Sequence, residues 1–234
     1  MERRRGSQVL AIVALLLAVG GLSLGFAAFS ETLTIRSSAE VKPEDEFNVD
    51  FQNTDGTTTA LAGVASGETG ATAGSATYDN ATDNPTIGGL KANFTKPGQT
   101  VTYTFRVANV NKIKAYLKSV TFANATGSDT YKKCEANATN TSGDTSTTAT
   151  PALVNAACNG ISMTVKVGET TYSSSQTVTG DGGLLPVDAQ GNVVTGGSAP
   201  VVVTITYAAN AERADGDFTV TFGDVSLGYS SVSA

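Results

Sequence analysis

Hydrophobic and polar residues alternate through most of the chain after residue 30, with the period of two that is typical of strands with one buried face. The clearest runs place valine, isoleucine or an aromatic residue at every second position, with threonine between them. No segment after residue 30 has a convincing helical period. The alternation predicts strands at 31–41, 47–51, 101–107, 115–122, 163–167, 172–178, 201–207, 218–222 and 225–229, and a short piece near Val193.

Two stretches interrupt the alternation. Residues 52–89 and 124–160 are rich in glycine, alanine, threonine and serine, and they predict long loops or insertions, the first with short edge strands. With about eight to ten strands joined by turns, the pattern favours an all-β fold, an antiparallel β-sandwich of jelly-roll type. We interpret 31–234 as a single domain.

The first 30 residues differ from the rest. Three arginines at positions 3–5 precede an uncharged apolar run, 9–29, which ends in small residues. This order predicts a secretory signal peptide that a signal peptidase removes near residue 30, so that the protein is secreted to the cell surface or beyond it. Two alternatives stay open. Residues 9–29 are long enough to remain as a membrane-spanning helix. Alternatively, Arg5-Gly6-Ser7 is a prepilin-type cleavage site with the helix retained, although Ala11 stands where such sites usually have glutamate.

Composition narrows the function classes. The chain has no histidine, which excludes a Ser-His-Asp triad, a Cys-His pair and an HExxH zinc site. Its formal net charge of −6 argues against nucleic acid as a partner. Paired carboxylates remain chemically conceivable, but there is no tryptophan for a sugar-binding cleft. We therefore predict no enzymatic activity, no catalytic residues, no cofactor and no metal site.

Two kinds of covalent feature follow from the residues. In an exported protein the two cysteines, Cys134 and Cys158, are most simply one disulfide that closes a loop. Five Asn-x-Ser/Thr sequons are possible glycosylation sites if the host modifies secreted proteins. They lie at Asn80, Asn93, Asn124, Asn137 and Asn140.

Three features together resemble the camelysin/TasA family of exported bacterial proteins, and more distantly the archaeal bundling pilins. An apolar leader ends in Phe26-Ala27-Ala28-Phe29-Ser30 and is followed at once by a predicted strand. In the segment from Leu90 to Phe105, Lys96-Pro97-Gly98 precedes an alternating threonine and aromatic strand, with Asn109 and Asn111 after it. Strands then continue to the end of the chain.

The resemblance implies a jelly-roll subunit that polymerises head to tail with copies of itself into an extracellular fibre, such as a pilus or a biofilm matrix filament. The N-terminal strand, 31–41, would be donated to the sheet of the next subunit. The donor side chains would be Leu33, Ile35, Ala39 and Val41. There are two competing hypotheses. The first is a monomeric, membrane-anchored surface or adhesion domain whose first strand pairs within its own sheet, and the second is a type IV pilin-like subunit that retains its N-terminal helix.

Overall fold

Threonine, valine, isoleucine and aromatic residues favour strands because their side chains pack well on a pleated, half-buried surface. In the computed structural model, which describes residues 48–81, 84–137, 149–179 and 183–231, they form sixteen strands and one helix. All strand pairs in this part of the chain are antiparallel, so the prediction of a mostly β, antiparallel protein is confirmed. The described residues belong to one unit, Pro43–Ala234.

The elements are β1 (Val49–Gln52), β2 (Leu61–Ala62), β3 (Val64–Gly67), β4 (Thr72–Ala73), β5 (Ser75–Asp79), β6 (Thr86–Gly88), β7 (Lys91–Phe94), β8 (Gln99–Asn109), β9 (Tyr116–Phe122), β10 (Lys132–Ala136), α1 (Pro151–Asn159), β11 (Ile161–Val167), β12 (Thr170–Tyr172), β13 (Gln176–Thr177), β14 (Ser198–Tyr207), β15 (Phe218–Phe222) and β16 (Val225–Ser230).

These strands form three sheets. Sheet 1 has the order β1-β8-β14-β11-β12, and β3 pairs with β8 on a different part of that strand from β1. Sheet 2 has the order β10-β15-β7-β4, and sheet 3 has the order β13-β9-β16-β6-β5-β2. The long central strands β8 and β14 pair from Ser198–Ala108 to Thr206–Thr100 and fix the register of sheet 1.

Glycines let the chain pass between sheets 2 and 3. β4 leads to β5 through Gly74, β6 leads to β7 through Gly89, and β15 leads to β16 through the turn at Gly223. Gly89 has φ 74°, a conformation that glycine adopts without steric cost. A Cβ on Gly223 would lie 2.1 Å from the carbonyl oxygen of Ala123. Neither position therefore accommodates a side chain without strain or backbone displacement.

A single hydrophobic core lies between sheet 1 and the other two sheets. Tyr207 of sheet 1 packs edge-on against Phe218 of sheet 2, with ring centroids 5.7 Å apart. Tyr103, which is fully buried, donates its hydroxyl proton toward the carbonyl oxygens of Gly74 (3.0 Å) and Lys91 (2.8 Å). The phenol therefore ties sheet 1 to the line where the chain passes between sheets 2 and 3.

The opposite face of sheet 1 carries hydroxyl groups. Thr102 of β8 lies beside Thr204 of β14, which lies beside Thr164 of β11. A second row, one pleat away, contains Thr100, Thr206 and Ser162. These side chains are half-buried or exposed, so the middle of this face presents methyl and hydroxyl groups instead of charges.

The expectation that no helix follows residue 30 was wrong, because α1 forms within the predicted loop 124–160. Pro151 stands at the start of the helix, where its fixed φ is favourable and its missing N–H costs nothing. Val154 and Ala157 are buried against the core. At the other end Lys132 Nζ donates to the carbonyl oxygen of Cys158 in the last turn of the helix (2.8 Å), and also to that of Ile161 at the start of β11.

Most of the predicted strands are confirmed: 47–51 as β1, 101–107 as β8, 115–122 as β9, 163–167 as β11, 201–207 as β14, 218–222 as β15 and 225–229 as β16. The piece near Val193 was wrong, because the Asp188 carboxylate accepts the N–H groups of Gln190 and Asn192 and forms a turn there. The run 172–178 is split between β12 in sheet 1 and β13 in sheet 3. The strand predicted at 31–41 lies outside the described residues.

Candidate acceptor groove

Sheets 1 and 3 face each other, and one of the two seams between their edges is sealed. At this seam β1 of sheet 1 meets β5 of sheet 3. Phe51 packs edge-on against Phe105 at 4.9 Å and lies 6.0 Å from the ring of Tyr78. The Tyr78 hydroxyl donates to Asn53 Oδ1 at 2.8 Å. Burial, with a smaller effect from the nearby charge of Asp55, raises the pKa of Tyr78 to about 12, so the phenol stays neutral in this seam.

At the opposite seam the described residues form a groove of about 420 Å³ between the edges of sheets 1 and 3, and its apolar floor comes from both sheets. Five of the side chains that line it are between 5% and 8% exposed, whereas Val165 and Val120, on the same strands as two of them, are fully buried. These side chains are therefore slightly more exposed than the centre of the hydrophobic core. The five residues are Leu117, Val167, Tyr172, Leu184 and Tyr229.

Within the described residues, the strands that border the groove stand at the ends of their sheets. On the sheet 1 side β12 pairs with β11, and on the sheet 3 side β13 pairs with β9. The start of β14 at Ser198–Pro200 pairs with β8, while β11 reaches only Val201 of β14. A single bond, from Gly168 N to Pro200 O (2.9 Å), continues beyond that point. The backbones of the end strands β12 and β13 therefore lie beside the apolar floor of the groove.

The ends and rim of the groove are defined by short connections. The segment that joins β12 to β13 is tied to β9, since Ser175 Oγ accepts the N–H of Phe122 at 2.8 Å. Near the other end Leu184 and Ala115 exchange both backbone hydrogen bonds. Threonines 170, 177 and 179 line the groove, and Glu169 at its rim pairs with Lys166 at 3.1 Å. Such a groove fits an extended peptide with apolar side chains on one face.

Of the residues predicted to carry the function, the structure describes the cysteines but not the donor side chains. Leu33, Ile35, Ala39 and Val41 lie outside the described residues, so the predicted donor strand stays a prediction. The predicted disulfide is confirmed: Cys134 of β10 is bonded to Cys158 of α1, with 6.1 Å between their Cα atoms.

The sequons have different environments. Asn124 is exposed, and Asn140 lies outside the described residues. The Oδ1 atoms of Asn93 and Asn137 both lie within hydrogen-bond distance of Thr219 Oγ1, which donates toward them. Asn80 is hydrogen bonded to the backbone of Phe51 through both ends of its amide. Glycosylation of any of them stays a prediction.

Sequence reasoning missed the groove, because a groove depends on which strands lie at sheet edges. The one available signal was the weak strand 172–178, whose three central serines separate β12 from β13. Within the part of the chain that the structure describes, no cluster of three or more His, Cys, Asp or Glu residues could hold a metal ion. In the same residues, no helix is long and apolar enough to cross a membrane.

Comparisons of the chain with models of protein families, with curated proteins and with solved structures give no match. The geometry of the groove is therefore the basis on which a function is assigned.

Proposed function

We propose that the protein is a secreted subunit of an extracellular filament and that residues 31–41 of one copy enter the groove of the next. The observation that carries the proposal is the groove between sheets 1 and 3, where β12 and β13, the end strands of the described sheets, border an apolar floor. Cleavage of residues 1–30 and the jelly-roll interpretation of the fold belong to the same proposal.

The chemistry of the two parts matches. In an extended strand Leu33, Ile35, Ala39 and Val41 project from one face, because alternate residues point the same way. Insertion would add main-chain hydrogen bonds to the edges of the groove and bury these side chains on its floor. Burying a side chain such as Ile35 contributes about 1.5–3 kcal/mol. The contact joins two different surfaces, so repeated insertion gives an open, head-to-tail polymer.

The competing function is a monomeric surface domain in which the strand fills the groove of its own chain. One observation favours it. Val49 pairs with Asn109, whose side-chain amide donates to Leu184 O at the groove (3.2 Å). The chain therefore enters the described unit at the Leu184 end of the groove. The six residues 42–47 can span up to about 20 Å between this point and the predicted strand 31–41.

Matched substitutions on the two faces of the predicted donor strand separate these functions. The full chain is exported, its N-terminus is sequenced, and the protein is examined by electron microscopy and analytical ultracentrifugation. Ile35→Asp places a charge on the face that enters the groove, so we expect folded subunits without filaments. Thr34→Asp places the same charge on the opposite face, so we expect filaments.

Filaments of normal length from Ile35→Asp would refute strand donation. Monodisperse wild-type protein at high concentration, with an N-terminus near residue 31, would assign the monomeric function instead. Filaments whose subunits retain residues 9–29 would indicate a type IV pilin-like assembly.

A further inference from the structure

At Phe51 the outer edge of β1 is closed by a side chain. Asn80 Oδ1 accepts the N–H of Phe51 at 2.8 Å, and Asn80 Nδ2 donates to the carbonyl oxygen of Phe51 at 2.9 Å. A residue in a neighbouring antiparallel strand makes this same reciprocal pair of bonds. One amide side chain thus occupies the place of a strand.

The next outward-facing backbone group is closed as well. Asn53 N donates to Thr57 O at 2.7 Å, which turns the chain away from the edge. The side chain of Asn53 is fixed by Thr57 Oγ1 and by the hydroxyl of Tyr78. Position 51 is therefore a point at which the edge of β1 is closed by a residue from elsewhere in the chain.

Asn80 is positioned from the opposite sheet. It follows β5 directly, and β5 is held in sheet 3 by its pairing with β6. The Asp79 carboxylate accepts the N–H of Ala81 at 3.0 Å, which turns the chain at this point. Tyr78 anchors the same segment in the aromatic cluster with Phe51.

We propose that Asn80 is an edge cap, which prevents β1 from pairing with the β1 edge of a second copy. Without the cap, the N–H and carbonyl groups of Phe51 in two molecules could bond reciprocally about a two-fold axis. Such a contact joins identical surfaces, and it would therefore stop at a dimer. An unprotected strand edge is otherwise a site of unwanted pairing. The proposal does not require the filament function, but it explains how assembly would be restricted to the open groove.

The same geometry separates Asn80 from a glycan acceptor. The sequon Asn80-Ala81-Thr82 would attach a sugar to Nδ2. In a secondary amide of the usual trans form the new substituent lies on the same side as the oxygen. That position is taken by the hydrogen that Asn80 donates to Phe51 O. A glycan and the edge cap therefore exclude each other.

The test compares Asn80→Ala and Asn80→Asp in the full chain that also carries Ile35→Asp, with Asn124→Ala as the control that removes an exposed sequon. Sedimentation is measured over a range of concentrations, and hydrogen exchange is measured at the Phe51 amide. With Asn80→Ala we expect exchange at the Phe51 amide to be at least about tenfold faster at concentrations where the protein is monomeric, and we expect a dimer at higher concentrations. Asn124→Ala should match its parent in both measurements.

Asn80→Asp distinguishes a cap from a general loss of packing. Its carboxylate cannot donate to Phe51 O at neutral pH, so the dimer should form. Protonation in acid restores a donor, so the dimer should dissociate. Exchange and mass equal to the parent in Asn80→Ala would overturn the proposal, as would an Asn80→Asp dimer that persists in acid. Filaments in the Ile35→Asp parent would refute strand donation instead, and the cap would still be judged by the difference that Asn80→Ala makes.

Discussion

Removing the disulfide should lower the stability of the protein by an amount that the closed loop determines. Cys134 and Cys158 are 24 positions apart, and the bond joins β10 to the last turn of α1. In the chain-entropy description, a loop of this length destabilises the unfolded state by about 3.5 kcal/mol. For a domain of this size each kcal/mol corresponds to about 2–4 °C, so the melting temperature should fall by about 7–14 °C.

The native contacts of α1 should largely survive the change, because Val154 and Ala157 stay buried and Lys132 still caps the helix. The effect therefore comes chiefly from the unfolded state. Thermal unfolding followed by far-ultraviolet circular dichroism is the assay, with the Cys134→Ala, Cys158→Ala double variant compared with the oxidised and reduced wild type. The reduced wild type should match the double variant, and reductant should leave the double variant unchanged. A loss below about 1 kcal/mol would refute the loop-entropy reasoning.

Three further predictions concern the core and the seams. Tyr78 should make the protein less stable as the pH rises from about 10 toward about 12, because the unfolded chain loses its phenol proton first. The slope is at most about 1.4 kcal/mol per pH unit, reduced by partial exposure, and alkaline denaturant titrations should show a smaller slope for Tyr78→Phe. Tyr103→Phe removes a hydroxyl that donates toward Gly74 O and Lys91 O and accepts from Lys91 N, and it should cost about 0.5–1.5 kcal/mol in urea unfolding; no change would contradict the role of this phenol. Gly223→Ala should destabilise the protein by more than about 1 kcal/mol, since the new Cβ meets Ala123 O; wild-type stability would show that the turn yields freely.

The strands were the most predictable part of the fold, because their alternation reflects burial of one face. Val101, Tyr103 and Phe105 are buried, while Thr100, Thr102 and Thr104 face outward. The helix was not predictable in the same way. In α1 the buried residues Val154 and Ala157 are only three apart within nine residues, too short a pattern to stand out from a threonine- and serine-rich segment.

The groove and the edge cap depend on contacts between residues far apart in sequence. In the sequence, Asn80 is recognisable only as part of a sequon. Its pairing with Phe51 could not be predicted, because it depends on how sheet 3 packs against sheet 1. Likewise, Leu117 and Val167 are ordinary core positions in their own strands, and they border a groove because β12 and β13 end their sheets. Alternation shows which side chains are buried, whereas the order of strands decides which of them border a groove.

The rows of threonine on the outer face of sheet 1 have a consequence for the conditions that the protein tolerates. Hydroxyl groups do not titrate between acid and alkaline pH, and salt does not screen their hydrogen bonds to water as it screens ion pairs. The wetting of this face through Thr102, Thr164 and Thr204 therefore stays the same in brine, in acid and in fresh water.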